Sequence, residues 1–397
     1  MISCSMESKG YRNVFALVFI LLHTALVSVA RPPVEEDRSL HKQAIHTIKT
    51  EYGDIVDCIP IYKQPAFDHP LLQGHKIQMR PSIYPDLVES IFSTSYAEQI
   101  ERNTTRPSCP DGTVPILRTK KQDLLLAMTM KNYGKRNYNI SLYSTNGHES
   151  AAVVSKGAPN EFHGAKAQIN TWDVHVEPDE FSASKITILG DESLESSSIQ
   201  AGWIVHPGIF NDNRPRLYTY WTGDGFGNTG CFNIMCPGFV QVSTEIYLGS
   251  YLNPLSEFGG PQREIDIQVY KDPKYEQWWL VFANKLVGYW PTLIFKNFQS
   301  ASIVEWGGEV LNKGNGGHHT RTQMGSGRYA NEGYGMSSYF RNILVIDESI
   351  RFKEPKIAGI ATDKPDCYSV VYDGSRGKGE QGYLFYYGGP GYGPSCL

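Results

Sequence analysis

The chain of 397 residues has no block of one charge: 37 Lys and Arg are interspersed with 41 Asp and Glu, for a formal net charge of −4. No basic run is interleaved with aromatics, which excludes the electrostatic footprint of a nucleic-acid partner. Beyond residue 30 no apolar run is long enough to span a bilayer as a helix, so no membrane anchor is expected in the body. The common catalytic signatures are also missing, with no Gly-x-Ser-x-Gly elbow and no His-Glu-x-x-His metal helix. No cysteines stand at Cys-x-x-Cys spacing, which argues against structural zinc. His318 and His319 are adjacent in a glycine-rich loop rather than one helical turn apart, and read as solvated. Gly223-Asp224-Gly225-Phe226-Gly227 lacks the strand-then-helix setting of a phosphate loop and reads as a turn. No cofactor and no metal is implied.

What is present begins at the N-terminus. Lys9 and Arg12 precede an apolar run from Val14 that ends Ser28-Val29-Ala30, the small residues a signal peptidase reads. Residues 1–30 are therefore expected to be a cleaved signal peptide, with no membrane association after its removal. An oxidising compartment follows, and with it disulfides. Cys4 leaves with the signal, and Cys58, Cys109, Cys231, Cys236, Cys367 and Cys396 remain as an even set. Pairing neighbours along the chain, so that no bridge crosses between segments, gives Cys58–Cys109, Cys231–Cys236 and Cys367–Cys396. Asn103-Thr104-Thr105 and Asn139-Ile140-Ser141 are glycosylation sequons compatible with secretion.

Abundant glycine, tyrosine and proline point to a β-rich body. The first third is different. Residues 38–52 place Leu40, Ala44, Ile45, Ile48 and Tyr52 at helical spacing, and Gly53 can end that helix. Prolines then punctuate residues 59–85 and exclude regular helix or central strand there. Thr119 with Gln122 forms a capping box for a second helix over Lys120–Tyr133, with Gly134 as its cap. From Ala151 onward the pattern is strands. Ala151–Ser155, Ala165–Trp172, Lys185–Leu189, Gln200–His206, Arg216–Thr222 and Phe239–Ser243 are expected first. Ile265–Tyr270, Trp278–Phe282, Lys285–Tyr289, Ser302–Glu309, Ser338–Ile346 and Gly382–Tyr387 follow. Short strands in this number without intervening helices mean an all-β fold, an antiparallel sandwich or barrel, preceded by a small, partly helical, irregular segment.

Two of these strands carry a polar side chain among apolar and glycine neighbours: Ile199-Gln200-Ala201-Gly202-Trp203 and Glu305-Trp306-Gly307-Gly308-Glu309-Val310. Burying an amide or carboxylate on a sheet face is costly unless it has a partner or a task. Gln200 and Glu309 are thus candidates for a water-activating pair. Glu305 shares the strand face of Glu309, and Trp203, Tyr220 and Trp306 are candidate substrate-binding aromatics beside core packing. Gly307-Gly308 directly before Glu309 suits a backbone that a ligand approaches closely.

Asp54-Ile55-Val56-Asp57-Cys58, Gln64-Pro65-Ala66-Phe67-Asp68-His69-Pro70 and Gly112-Thr113-Val114-Pro115-Ile116 resemble the activation peptide of the neprosin family. Gln200-Ala201-Gly202-Trp203, Tyr218-Thr219-Tyr220-Trp221-Thr222, Thr229-Gly230-Cys231-Phe232-Asn233 and Cys236-Pro237-Gly238-Phe239-Val240-Gln241 resemble its catalytic domain. So do Gly288-Tyr289-Trp290-Pro291, Glu305-Trp306-Gly307-Gly308-Glu309, Gln323-Met324-Gly325-Ser326-Gly327 and Tyr386-Tyr387-Gly388-Gly389-Pro390-Gly391. The resemblance implies a β-sandwich glutamic peptidase secreted as a zymogen, with signal 1–30, activation peptide and linker 31–150, and catalytic domain 151–397. It implies cleavage after proline at acidic pH, with a proline-rich peptide or protein substrate and the protein's own propeptide as partners. Location would be extracellular, cell-wall or vacuolar. The family has a glutamate at both dyad positions, and this chain has Gln200 at the first. The alternative is therefore a catalytically silent member that binds peptide or cell-wall polymer.

Overall fold

The computed structural model describes residues 43–85, 108–119, 147–159, 161–193, 196–227, 229–314, 317–372, 374 and 382–397. The expected signal peptide, both sequons and the helix expected over Lys120–Tyr133 lie outside them. Strands in chain order are β1 (His46–Lys49), β2 (Ile55–Pro60), β3 (Thr113–Leu117), β4 (His148–Lys156), β5 (Gly164–Asn170), β6 (Phe181–Leu189), β7 (Ser198–Val205), β8 (Arg216–Thr222), β9 (Cys231–Phe232) and β10 (Val240–Gln241). They continue as β11 (Glu264–Lys271), β12 (Gln277–Phe282), β13 (Lys285–Pro291), β14 (Ile303–Leu311), β15 (Ser338–Ile346), β16 (Phe352–Lys353), β17 (Ile357–Thr362), β18 (Ser369–Val371) and β19 (Leu384–Gly388).

Two antiparallel sheets make the body. A seven-stranded sheet runs β17-β4-β14-β6-β7-β8-β9, and a nine-stranded one runs β10-β13-β12-β11-β5-β15-β19-β18, with β16 paired to β15. Alternation explains which face each residue takes. Ile199, Ala201, Trp203 and Val205 of β7, with Val304, Trp306 and Val310 of β14, belong to one core that includes Ile265, Ile267, Phe340 and Phe385 of the other sheet. The intervening residues of β7 and β14 point to the opposite face, where Phe181, Ala183, Ile204, Tyr218, Tyr220, Phe226 and Phe232 form a separate apolar cluster. All three expected disulfides are present: Cys58–Cys109, Cys231–Cys236 and Cys367–Cys396.

The N-terminal segment differs from the expectation of a helix over residues 38–52. β1 is a strand, paired with β2 through His46↔Cys58 and Ile48↔Val56. β2 in turn pairs with β3, where Pro115 sits on an edge strand that can spare its missing donor. A helix so short is marginal by itself, and the ladder to the neighbouring strand β2 outweighs the helical spacing.

This small sheet and the chain flanking it are anchored to the body by hydrogen bonds whose sequence separations are large. Gln64 and Gln241 exchange two bonds (2.7 and 3.0 Å), and the Gln241 side chain also donates to the Pro115 carbonyl (2.6 Å). His75 and the Gln78 amide both reach the Tyr289 hydroxyl (2.8 and 3.0 Å). The buried Arg216 guanidinium grips both oxygens of Asp54 at 3.0 Å and is also bonded to Asp212. Although burial opposes its charge, those two carboxylates raise its pKa, so it stays cationic.

Candidate active site

Register builds the site. On the outer face of the seven-stranded sheet three rows cross β14, β6, β7 and β8: Glu305–Thr187–Gln200–Tyr220, Gly307–Lys185–Gly202–Tyr218, and Glu309–Ala183–Ile204–Arg216. Lys185 stands at the centre, flanked by two glycines. Gln200 lies diagonally from it on one side and Glu309 diagonally on the other, within reach of a long side chain.

The contacts follow from that lattice. The Lys185 ammonium donates to Gln200 Oε1 at 3.1 Å and to Glu309 Oε2. The second carboxylate oxygen of Glu309 is 2.6 Å from His148 Nδ1 on β4. Tyr218 donates its hydroxyl to Gln200 Oε1 at 3.2 Å. Burial and the neighbouring Glu309 charge both push the Tyr218 phenol well up, so it remains a neutral O–H donor. The Glu309 side chain is 1 % and the Lys185 side chain 8 % exposed, so these charges interact across a medium far less screening than water.

The candidates divide between the two faces. Gln200, Glu309, Glu305 and Tyr220 share the outer face, and Tyr220 stacks on Phe226 at 5.7 Å. Trp203 and Trp306 point the other way into the sandwich core, both fully buried, with Trp203 Nε1 donating to the Asn170 carbonyl. Their place is behind the sheet, because odd and even residues of a strand take opposite faces. The two glycines before Glu309 also serve packing. A Cβ at Gly307 would meet Ala151 O at 2.4 Å, and one at Gly308 would meet the Met324 side chain at 2.6 Å.

Gly202 is tighter still, since a Cβ there would lie 2.0 Å from Ser184 O. Gly202→Ala should therefore destabilise the sheet at its centre by about 3 kcal/mol or more. Its urea midpoint should drop far below that of Ala201→Gly; equal midpoints would refute the crowding.

Sequence reasoning missed Lys185 and His148. The expected strands began at Lys185 and at Ala151, which leaves Lys185 at a solvated strand end. In the structure β6 begins at Phe181 and β4 at His148. The added residues are mostly serine, alanine and glutamate, weak strand formers whose pairing comes from their neighbours. His319 is another correction. Rather than solvated, its side chain is 5 % exposed and 2.7 Å from Glu149. Burial lowers its pKa, but the bond and charge of Glu149 outweigh that and leave it raised.

Among the described residues His319, Cys367 and Cys396 are the one group of three close metal-ligand atoms. The two cysteines are bonded to each other, so the group does not fit a metal.

The sequence model of the neprosin family matches residues 178–390, and that of the neprosin activation peptide matches residues 47–158. Among solved structures, the chain is similar to a scytalido-glutamic peptidase bound to a peptide-based transition-state analogue. Identity is 9 %, the TM-score is 0.32, and the match covers 62 % of this chain and 98 % of that one. SCP-B, an eqolisin-family peptidase in complex with the tripeptide Ala-Ile-His, matches at 9 % identity and a TM-score of 0.30, over 61 % and 97 % of the two chains.

Proposed function

The chain belongs to the neprosin family, and from that premise we propose that it is the zymogen of a secreted glutamic peptidase acting through Glu309 and Gln200. The observation that carries the reading is the shared face of the two side chains, bridged by a single ammonium. The Glu309 carboxylate takes a proton from water, and the resulting hydroxide adds to the peptide carbonyl. The Gln200 amide donates an N–H to the oxyanion as charge develops there. Glu309 then returns the proton to the leaving amine, and the C–N bond breaks. No covalent intermediate and no cofactor enter.

Preference for proline is carried by the family resemblance; Tyr218, Tyr220, Phe226 and Phe232 lie on the same face as the dyad, buried and stacked in pairs. Three disulfides agree with an extracellular, cell-wall or vacuolar setting, and among the described residues no helix is long and apolar enough to cross a membrane. The zymogen reading draws support from the activation-peptide match and from the Asp54–Arg216 grip. We place the removal of that peptide before His148, although the activation-peptide match runs on to residue 158. β4 lies between β14 and β17 and carries a partner of Glu309, so it has to stay with the sandwich.

One observation favours a second reading. Each oxygen of Glu309 is already bonded to a protein group, which suits a silent relative that binds peptide or cell-wall polymer. The two readings separate by incubating the secreted chain with a proline-rich peptide pool from acid to neutral pH. New termini after proline, together with a mature chain starting before residue 148, support the peptidase. A permanently intact chain that cuts nothing supports the binder.

A further inference from the structure

We propose that Lys185 is a positioning residue of this site, its ammonium taking the place of the proton that two carboxylates would share. The kinetic part of this inference rests on the peptidase reading above; the pairing itself does not.

Three observations carry it. Lys185 is the residue that touches both members of the dyad, Gln200 Oε1 at 3.1 Å and Glu309 Oε2. A shared proton links two carboxylates in the same way, oxygen to hydrogen to oxygen. Second, the Lys185 side chain is 8 % exposed beside a carboxylate at 1 %. Either charge alone in that setting would be costly, whereas the pair is neutral. Third, Gln200 Oε1 receives two donors, Lys185 and Tyr218. That fixes which end of the amide is which and leaves Nε2 as the end that donates to an oxyanion.

Two carboxylates with one proton carry a charge of −1 between them; Gln200, ionised Glu309 and Lys185 together carry none. An oxyanion then forms with less repulsion. Gln200→Glu by itself does not rebuild a two-carboxylate dyad, because it sets an ammonium between two carboxylates. Among the described residues, other titratable or charged groups on this face include His148 on β4, Glu305 on β14, His206 at the end of β7, and Arg216, Tyr218 and Tyr220 on β8.

The test has two arms on the full chain. In the first, urea midpoints are measured at pH 7 for Lys185→Met, Glu309→Gln and the double variant. Each single variant should lose stability by stranding one charge, and the double should recover most of it. Additive losses would overturn the pairing. In the second, peptide hydrolysis is followed against pH after activation. Lys185→Met should lower kcat at least tenfold with KM little changed, and move the acid limb of the profile upward by more than half a pH unit. Gln200→Glu should be slower than the wild type, while Gln200→Glu with Lys185→Met should be faster than either single variant, with a more acidic optimum. A Lys185→Met enzyme with the wild-type profile, or a faster one, would overturn the positioning role. Coupled midpoints in a wild type that cuts no peptide would support the Lys185 pairing and remove the peptidase reading alone.

Discussion

Replacing Glu309 by Gln should cut kcat/KM for peptide hydrolysis by about 10²–10⁴-fold, the contribution of a general base that also serves as acid. The substitution keeps shape and loses only the charge and the basic oxygen. It also strands the Lys185 ammonium in a buried site, at a cost of about 3–5 kcal/mol. A drop in activity on its own is therefore ambiguous between chemistry and unfolding. The double variant Lys185→Met with Glu309→Gln resolves the ambiguity, because it removes both charges together. It should be folded by near-UV circular dichroism and still inactive. A folded double variant that retains hydrolysis would show that the base lies elsewhere, with Glu305 on the same face the first place to look.

The second large effect concerns acid. His206 follows directly on β7, the strand that carries Gln200, and packs against Phe181 at 5.9 Å. It is fully buried, and burial pulls its pKa down to about 3. The unfolded chain binds that proton near pH 6.5, so between the two values the unfolded state holds more protons than the folded one. Stability is thus lost as pH falls from about 6.5 toward 3, by about 3 kcal/mol at pH 4. His319 works in the opposite sense: its raised pKa contributes stability that is full below about pH 6.5 and fades as pH rises through its folded value. His206→Leu should flatten the fall in urea midpoint between pH 7 and pH 4 while changing the pH 7 value little. Parallel curves for His206→Leu and wild type would rule out His206 as the acid-sensitive group. A family member read as working in acid would thus carry a built-in cost there, offset in part by the three disulfides.

Much of the body was legible because its strands bury one face and announce it by alternation. Arg216–Thr222 and Ser338–Ile346 were expected with the bounds the structure gives them. The disulfides were legible because pairing each cysteine with its neighbour along the chain keeps every bridge within one segment. The two polar residues stood out at Gln200 and Glu309 because their neighbours are apolar or glycine. Where the signal was weak, the reading stopped short. Phe181-Ser182-Ala183-Ser184 has no strand-forming residue after the first, so Lys185 looked terminal when it is central. In residues 38–52 the apolar spacing fitted a helix, but the partner strand 55–60 decided otherwise.

By itself the sequence determined the all-β class, the covalent bridges and the family, since these depend on local alternation, cysteine order and motifs that stand in one stretch of chain; tertiary pairing decided that the strands form two open sheets rather than a barrel. The tertiary structure alone decided what surrounds Glu309. Gln200 and Lys185 are fifteen residues apart and Lys185 and Glu309 are 124 apart. They meet because the register of β14, β6 and β7 sets them on one face, and a slip of one residue would turn each to the other side.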